Sequence, residues 1–202
     1  YMKLLSLCAS IAVFGLFSNI SGAQELERFV RYSQADGEVH WGMVHGDEVY
    51  QLAGAPYETM EHTGTKFMRD ELRMEAPVNP KLVFMTALNF RSHISGEPAE
   101  YPGLFIVPAS SIVGPEDAIV RPAESENLHY EAEMAVVIGK RAENVTVDQA
   151  HEYIFGVTAG NDVSERAWQS GDIQWVRAKG SKGFNAVGPE LVRGADYNNL
   201  QI

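Results

Sequence analysis

The stretch LHYEAEMAVVIGK, residues 128–140, places Glu131 and Glu133 one residue apart inside an otherwise apolar run. Side chains alternate faces along a β-strand. Tyr130, Ala132, Met134, Val136 and Ile138 then form one wholly apolar face, which is expected to meet a core, and His129, Glu131 and Glu133 share the other. The two glutamates stand roughly 7 Å apart at Cβ for a rise of about 3.3 Å per residue, so their carboxylates can converge on one ion. Without a cation they repel, and one is driven toward its protonated form. Oxygen-only donors favour a hard divalent ion such as Mg²⁺, Mn²⁺ or Ca²⁺. A solvated polar face would show the same spacing, and His129 could be a ligand or a supporting group, although a lone strand histidine is more often structural. A third carboxylate is therefore needed. Asp162 supplies one, at the end of YIFGVTAGND, where a Gly160-Asn161-Asp162 turn is predicted. Alone it reads as a turn or capping residue; joined to Glu131 and Glu133 it completes a three-carboxylate site.

Charge narrows the partners. The N-terminus runs from Met2-Lys3 through LLSLCASIAVFGLF to Ser21 and Ala23, small residues at the positions that precede a cut before Gln24. This is the layout of a secretory signal peptide over residues 1–23, too short for a comfortable membrane span. A secreted or periplasmic protein, without stable membrane insertion after cleavage, is expected. The remaining chain has 15 basic and 27 acidic residues, a net charge of −12. Such a surface excludes nucleic acid as a partner. Cys8, the sole cysteine, lies in the signal segment, so residues 24–202 hold no thiol or disulfide chemistry.

Short alternating runs from Leu26 to Leu52, with Asp36-Gly37 and Gly46-Asp47 as turns, predict a small antiparallel meander. A polar stretch with Gly64, Pro77 and Pro80 reads as a connector, and KLVFMTAL beyond it as a buried strand. Thr146 with Gln149 three residues later forms a capping-box pattern that starts a short helix. The segment RAKGSKGFNAVGP, which includes Lys179, reads as a Gly/Lys-rich loop. The class is α+β, mostly β.

Four linked pieces, LNFRSH (88–93), LHYEAEMAVVIGK (128–140), YIFGVTAGNDVSER (153–166) and QWVRAKGSKGFNAVGP (174–189), resemble the fumarylacetoacetate hydrolase family. The resemblance implies a mixed β-sheet roll or sandwich with short helices over residues 79–202, preceded by a small β-rich domain and connector over 24–78. It implies Mg²⁺ or Mn²⁺ held by Glu131, Glu133 and Asp162, and Lys179 beside the ion as an oxyanion partner. His93 matches a lid histidine that activates water, histidine being the side-chain type that titrates nearest neutrality. Arg91, Arg166 and Gln169 match substrate-pocket or supporting positions. The implied substrate is a small diketo or 2-keto acid, the implied reaction hydrolytic cleavage of a carbon–carbon bond, and the implied assembly a homodimer.

The departures lie on the substrate side. Family hydrolases place a glutamate three residues after the lid histidine, forming a catalytic dyad; here that position is Gly96. Glu97, one residue late, is the candidate catalytic partner of His93 if the loop is rearranged; otherwise the base lacks its orienting partner. Val107 stands where a lysine is frequent, and Phe90 where a tyrosine is. Family members continue past GPELV to a Thr-Gly-Thr-Pro-like loop, whereas the TGT here, Thr63–Thr65, is followed by Lys66. A fragment of a longer gene product is the expectation. Loss of the His-Glu dyad favours a decarboxylase or isomerase as the second reading, and a silent metal- or ligand-binding protein is the third.

Overall fold

A computed structural model describes residues 25–200; the signal-peptide segment and Cys8 lie outside the described residues. The meander comes first: β1 (Glu27–Ser33), β2 (Val39–His45), β3 (Glu48–Leu52) and β4 (His62–Met68) are antiparallel neighbours in sequence order. The two tight turns fall where the glycines predict them. Gly37 and Gly46 take φ of 79° and 60°, the left-handed region that other residues adopt at a cost. The expected connector is itself structured, since β4 and β5 (Arg73–Glu75) both lie within it and β5 pairs β1 through Arg31↔Glu75.

The second half adds β6 (Val83–Ala87), β7 (Gly103–Val107), β8 (Ile112–Val113), β9 (Leu128–His129), β10 (Ala132–Ile138), β11 (Ile154–Asp162), β12 (Ser164–Glu165), β13 (Asn185–Val187) and β14 (Leu191–Arg193), with helices α1 (Arg166–Gly171) and α2 (Val176–Gly180) between β12 and β13. One large sheet runs β4-β3-β2-β1-β14-β11-β13-β8, with β10 on the other edge of β11. Smaller pairs are β6–β7 and β9–β12. The meander and the second half therefore share one sheet, joined where Glu27, Arg28 and Phe29 face Arg193, Val192 and Leu191.

Alternation along β1 buries it on both sides. Val30 and Tyr32 pack with Val44 and Val49, while Phe29 on the opposite face meets Leu52 and Leu191, flanked by Val137 and Phe155. Full burial of side chains this size contributes roughly 1.5–3 kcal/mol each. At the crossing of β14 over β11 a Cβ on Gly156 would lie 2.4 Å from the Val192 carbonyl oxygen. Only glycine lets the two backbones approach so closely.

Three expectations are corrected. The apolar face of the glutamate strand does not meet a core: Tyr130 is 81% and Ile138 57% exposed, because it is the Glu133–Ala135–Val137 side that turns inward, Val137 reaching Phe29. KLVFMTAL forms β6, which pairs only β7 and leaves Phe84 61% exposed. The predicted Gly160-Asn161-Asp162 turn is strand, since β13 pairs all three residues and holds them extended. The short helix expected after Thr146 is present as a 3₁₀ segment, Val147–Tyr153, with Thr146 at its N-cap; the threonine hydroxyl donates to the Gln149 side chain at 3.0 Å and accepts from no backbone amide. Among the described residues no helix is long and apolar enough to cross a membrane.

Candidate active site

Register brings the carboxylates together. Glu133 faces Gly160 across the β10–β11 ladder, and the amide of Asp162 donates to the carbonyl of Glu131 at 2.9 Å. Asp162, two residues beyond Gly160, thus shares a face with both glutamates. One carboxylate oxygen from each of the three lies within 4.8 Å of the others. The hydroxyl of Ser164 lies 3.0 Å from Glu131 Oε1 and 3.1 Å from the Asp162 carbonyl, sharing its one proton between them and linking the two segments.

Two cations enter the same cluster. Lys179, 3% exposed, places Nζ 2.5 Å from Asp162 Oδ2 and 3.1 Å from Glu131 Oε1. It sits on α2, not in a loop; the one-turn helix ends in Gly180, where a Cβ would come within 2.6 Å of Pro108. Arg166, the first residue of α1, pairs with Glu131 and donates to Gln169 Oε1 at 2.8 Å.

These partners leave the trio incompletely neutralised. Burial works to raise Glu131, but Lys179, Arg166 and Ser164 together hold its carboxyl below the usual range. Glu133 has no ion-pair or hydrogen-bond partner among the described residues, and burial, with Asp162 and Glu131 as like-charged neighbours, pushes it up to about 7. Asp162 is pushed up to about 6, chiefly by burial, against the pull of Lys179. Its Oδ1 is buried without a hydrogen-bond partner. A buried acceptor without a donor is costly. An unsatisfied oxygen, an unpartnered carboxylate beside it and an all-oxygen donor set fit a hard divalent ion.

The cluster forms the floor of a cavity of about 90 Å³. His93, Gln169, Arg166 and Lys179 line it, with Phe105 and Trp175 packed edge to face at 5.3 Å as an aromatic wall. Of the sequence-predicted site residues, Arg91 and Glu97 are not brought to it. Arg91 donates instead to the carbonyl of Gly96 at 2.8 Å, and the chain reverses at Gly96 with φ of 92°. His129 turns aside to Asn127 at 2.9 Å. A larger open groove of about 550 Å³, bounded by Tyr57, Tyr153 and Arg193, contains none of the predicted residues.

Sequence reasoning missed Ser164, Glu165, Phe105 and Trp175. Ser164 was legible in principle, because it is one alternation beyond Asp162 on the same extended segment. Glu165 carried no signal: a glutamate between a serine and an arginine reads as surface, yet it is fully buried and caps α1 by accepting from the Ala167 amide. The aromatic wall depends on a contact between β7 and α2 that no local pattern encodes.

Comparisons with known proteins bear on the family and the fold. The sequence profile of the fumarylacetoacetate (FAA) hydrolase C-terminal domain matches residues 82–202, and an Rv2993c-like N-terminal profile matches residues 27–77. The chain is 36% identical over 166 residues to Protein Rv2993c of Mycobacterium tuberculosis, covering 81% of this chain and 62% of that one. It is 37% identical over 142 residues to the mitochondrial oxaloacetate tautomerase Fahd2a of Rattus norvegicus, covering 66% of this chain and 45% of the relative. The crystal structure of 2-hydroxyhepta-2,4-diene-1,7-dioate isomerase from Mycobacterium marinum superposes with a TM-score of 0.76 at 34% identity, over 84% of this chain and 67% of that one. The chain thus spans about half to two thirds of the length of these relatives. With profile, relatives and fold in agreement, the chain belongs to the fumarylacetoacetate hydrolase family.

Proposed function

We propose that the protein is a divalent-metal-dependent enzyme that stabilises the enolate of a small diketo or 2-keto acid. One observation carries the reading: three carboxylates, one of them with an orphaned buried oxygen, meet two cations on the floor of a single cavity. Glu131, Glu133 and Asp162 would hold Mg²⁺ or Mn²⁺. When bound, such an ion supplies Lewis acidity toward the two oxygens of a chelating substrate. Lys179 is buried and charge-paired, so its ammonium stabilises negative charge developing on a substrate oxygen without rearranging. Arg166 orients Glu131 and offers its remaining donors to a substrate carboxylate, with Gln169 steadying the guanidinium. His93, on the cavity wall, moves the proton.

Two reactions use these parts. Hydrolytic cleavage of the carbon–carbon bond in an acylpyruvate or fumarylpyruvate type of substrate needs His93 to activate water. Proton transfer within the enolate, as in an isomerase or tautomerase, or loss of CO₂, needs no oriented water. The position of Glu97 away from the cavity favours this second group, since His93 is then without an acidic partner. Relatives named as a tautomerase and an isomerase support it. Incubating the whole chain with Mg²⁺ or Mn²⁺ distinguishes them: acylpyruvate absorbance decays under hydrolysis, enol-oxaloacetate absorbance under tautomerisation, and CO₂ appears under decarboxylation. An unaltered metal affinity in Glu131→Ala overturns the proposal. Export after cleavage of residues 1–23 and assembly as a homodimer belong to the same reading; N-terminal sequencing of the secreted product and light scattering test them.

A further inference from the structure

Outside the cavity, one carboxylate stands apart from every other in the described chain. Glu165 is 0% exposed and forms no salt bridge among the described residues, Arg121 acting on it only through its more distant charge. Its oxygens accept only from uncharged donors: the Ser125 hydroxyl, the Asn127 amide at 3.0 and 3.1 Å, and the Ala167 amide at 3.0 Å. The first two lie in the segment that leads through β9 to Glu131, and the third is the second residue of α1. The neighbouring backbone repeats the junction, for the Arg166 amide donates to the Asn127 carbonyl at 2.9 Å and β12 pairs β9 through Glu165↔Leu128. Arg121, bonded to the Ser125 carbonyl at 3.1 Å, closes the far side.

We infer that Glu165 is a positioning residue: its carboxylate fastens the approach to Glu131 against the start of α1, and so fixes where the Arg166 guanidinium meets Glu131. It touches neither the cavity nor a proposed ligand oxygen. The geometry explains why a carboxylate is used. All of its contacts are donors, and a glutamine would turn an amide NH₂ toward one of them.

The inference rests on the proposed metal reading, and Mn²⁺ binding to the whole chain separates the two. Wild-type protein binds Mn²⁺ with a defined electron paramagnetic resonance spectrum; absence of binding there overturns the metal reading itself. In Glu165→Gln the affinity weakens roughly 10-fold, as for loss of an outer-shell partner, and the spectrum changes in a protein whose circular dichroism is native. Ser125→Ala, which removes one donor and leaves the carboxylate, shifts affinity in the same direction by a smaller factor and serves as the readout should Glu165→Gln fail to fold. In an Arg166→Gln background, Glu165→Gln has less than half its effect, because the path through the guanidinium is gone. Affinity and spectrum identical to wild type in folded Glu165→Gln or Ser125→Ala overturn the inference and leave Glu165 a structural residue.

Discussion

Two sets of carboxylates, buried Glu165 on one side and half-buried Glu133 with buried Asp162 on the other, are treated in opposite ways. Glu165 is enclosed by donors that satisfy both of its oxygens. Glu133 and Asp162 are enclosed without them: one has no partner among the described residues, and the other leaves Oδ1 unpaired. Burying an ion costs several kcal/mol before any pairing offsets it. Folding alone accounts for the first group, whose anion does structural work in holding two segments together. It does not account for the second, whose oxygens point at one shared space. The difference is that between an anion the chain completes and an anion the chain leaves for a ligand to complete.

The contrast is broken most directly at the ligands. Glu133→Ala and Asp162→Ala are each expected to weaken Mn²⁺ binding beyond the roughly 10–100-fold that outer-shell losses produce, measured by calorimetry. Removing the built-in cation tests the other half: Lys179→Met should lower turnover in the responsive assay by roughly 10²-fold or more, the magnitude of losing one preorganised donor to an oxyanion. Stability should separate the groups by sign. Glu165→Ala strands several buried donors and is expected to lower the melting temperature by ~5–10 °C, whereas Glu133→Gln removes a charge that nothing pairs and should raise that of the metal-free protein at pH 8 by ~2–4 °C.

The smallest effect is the pH profile. The native protein holds the Glu133 proton up to about 7 and the Asp162 proton up to about 6, against ordinary values of 4.5 and 3.8. Between those limits the folded state binds more protons than the unfolded one, so this contribution is complete below about pH 4 and is lost as pH rises to about 7. The metal-free melting temperature should therefore carry a component that falls over this range. Bound Mg²⁺ or Mn²⁺ replaces those protons, and the melting-temperature gain from added metal should be larger at pH 8 than at pH 5.5. A gain independent of pH would place the ion elsewhere.

Much of this was legible in the sequence, for reasons that can be named. The meander followed from Gly37 and Gly46, where local φ demands decide the turns. That Glu131 and Glu133 share one side followed from the pleat, while their meeting at one ion rested on Asp162 and on the family resemblance. Alternation gives two faces without saying which is inward, and β10 was assigned its inner face by hydropathy. The structure reverses the assignment because Val137 reaches the core while Ile138, next to a register shift, remains exposed. Lys179 and Arg166 emerged only by resemblance, since their meeting with Glu131 depends on how two short helices fold back over the sheet. Glu165 was invisible for the opposite reason: its partners at Ser125 and Asn127 lie about forty residues upstream.

The seam between β1 and β14 has a practical consequence for anyone who would cut this chain in two. Sequence profiles divide it between residues 77 and 82, yet the backbone ladder ignores that division, since Phe29 and Leu191 are cross-strand neighbours with no exposed surface. Trimming the first module would bare a row of unmatched amides along β14 and uncover Leu191 and Phe155, an invitation to intermolecular strand addition. Modular ancestry and independent foldability are different properties, and in this molecule a shared hydrogen-bonded margin separates them.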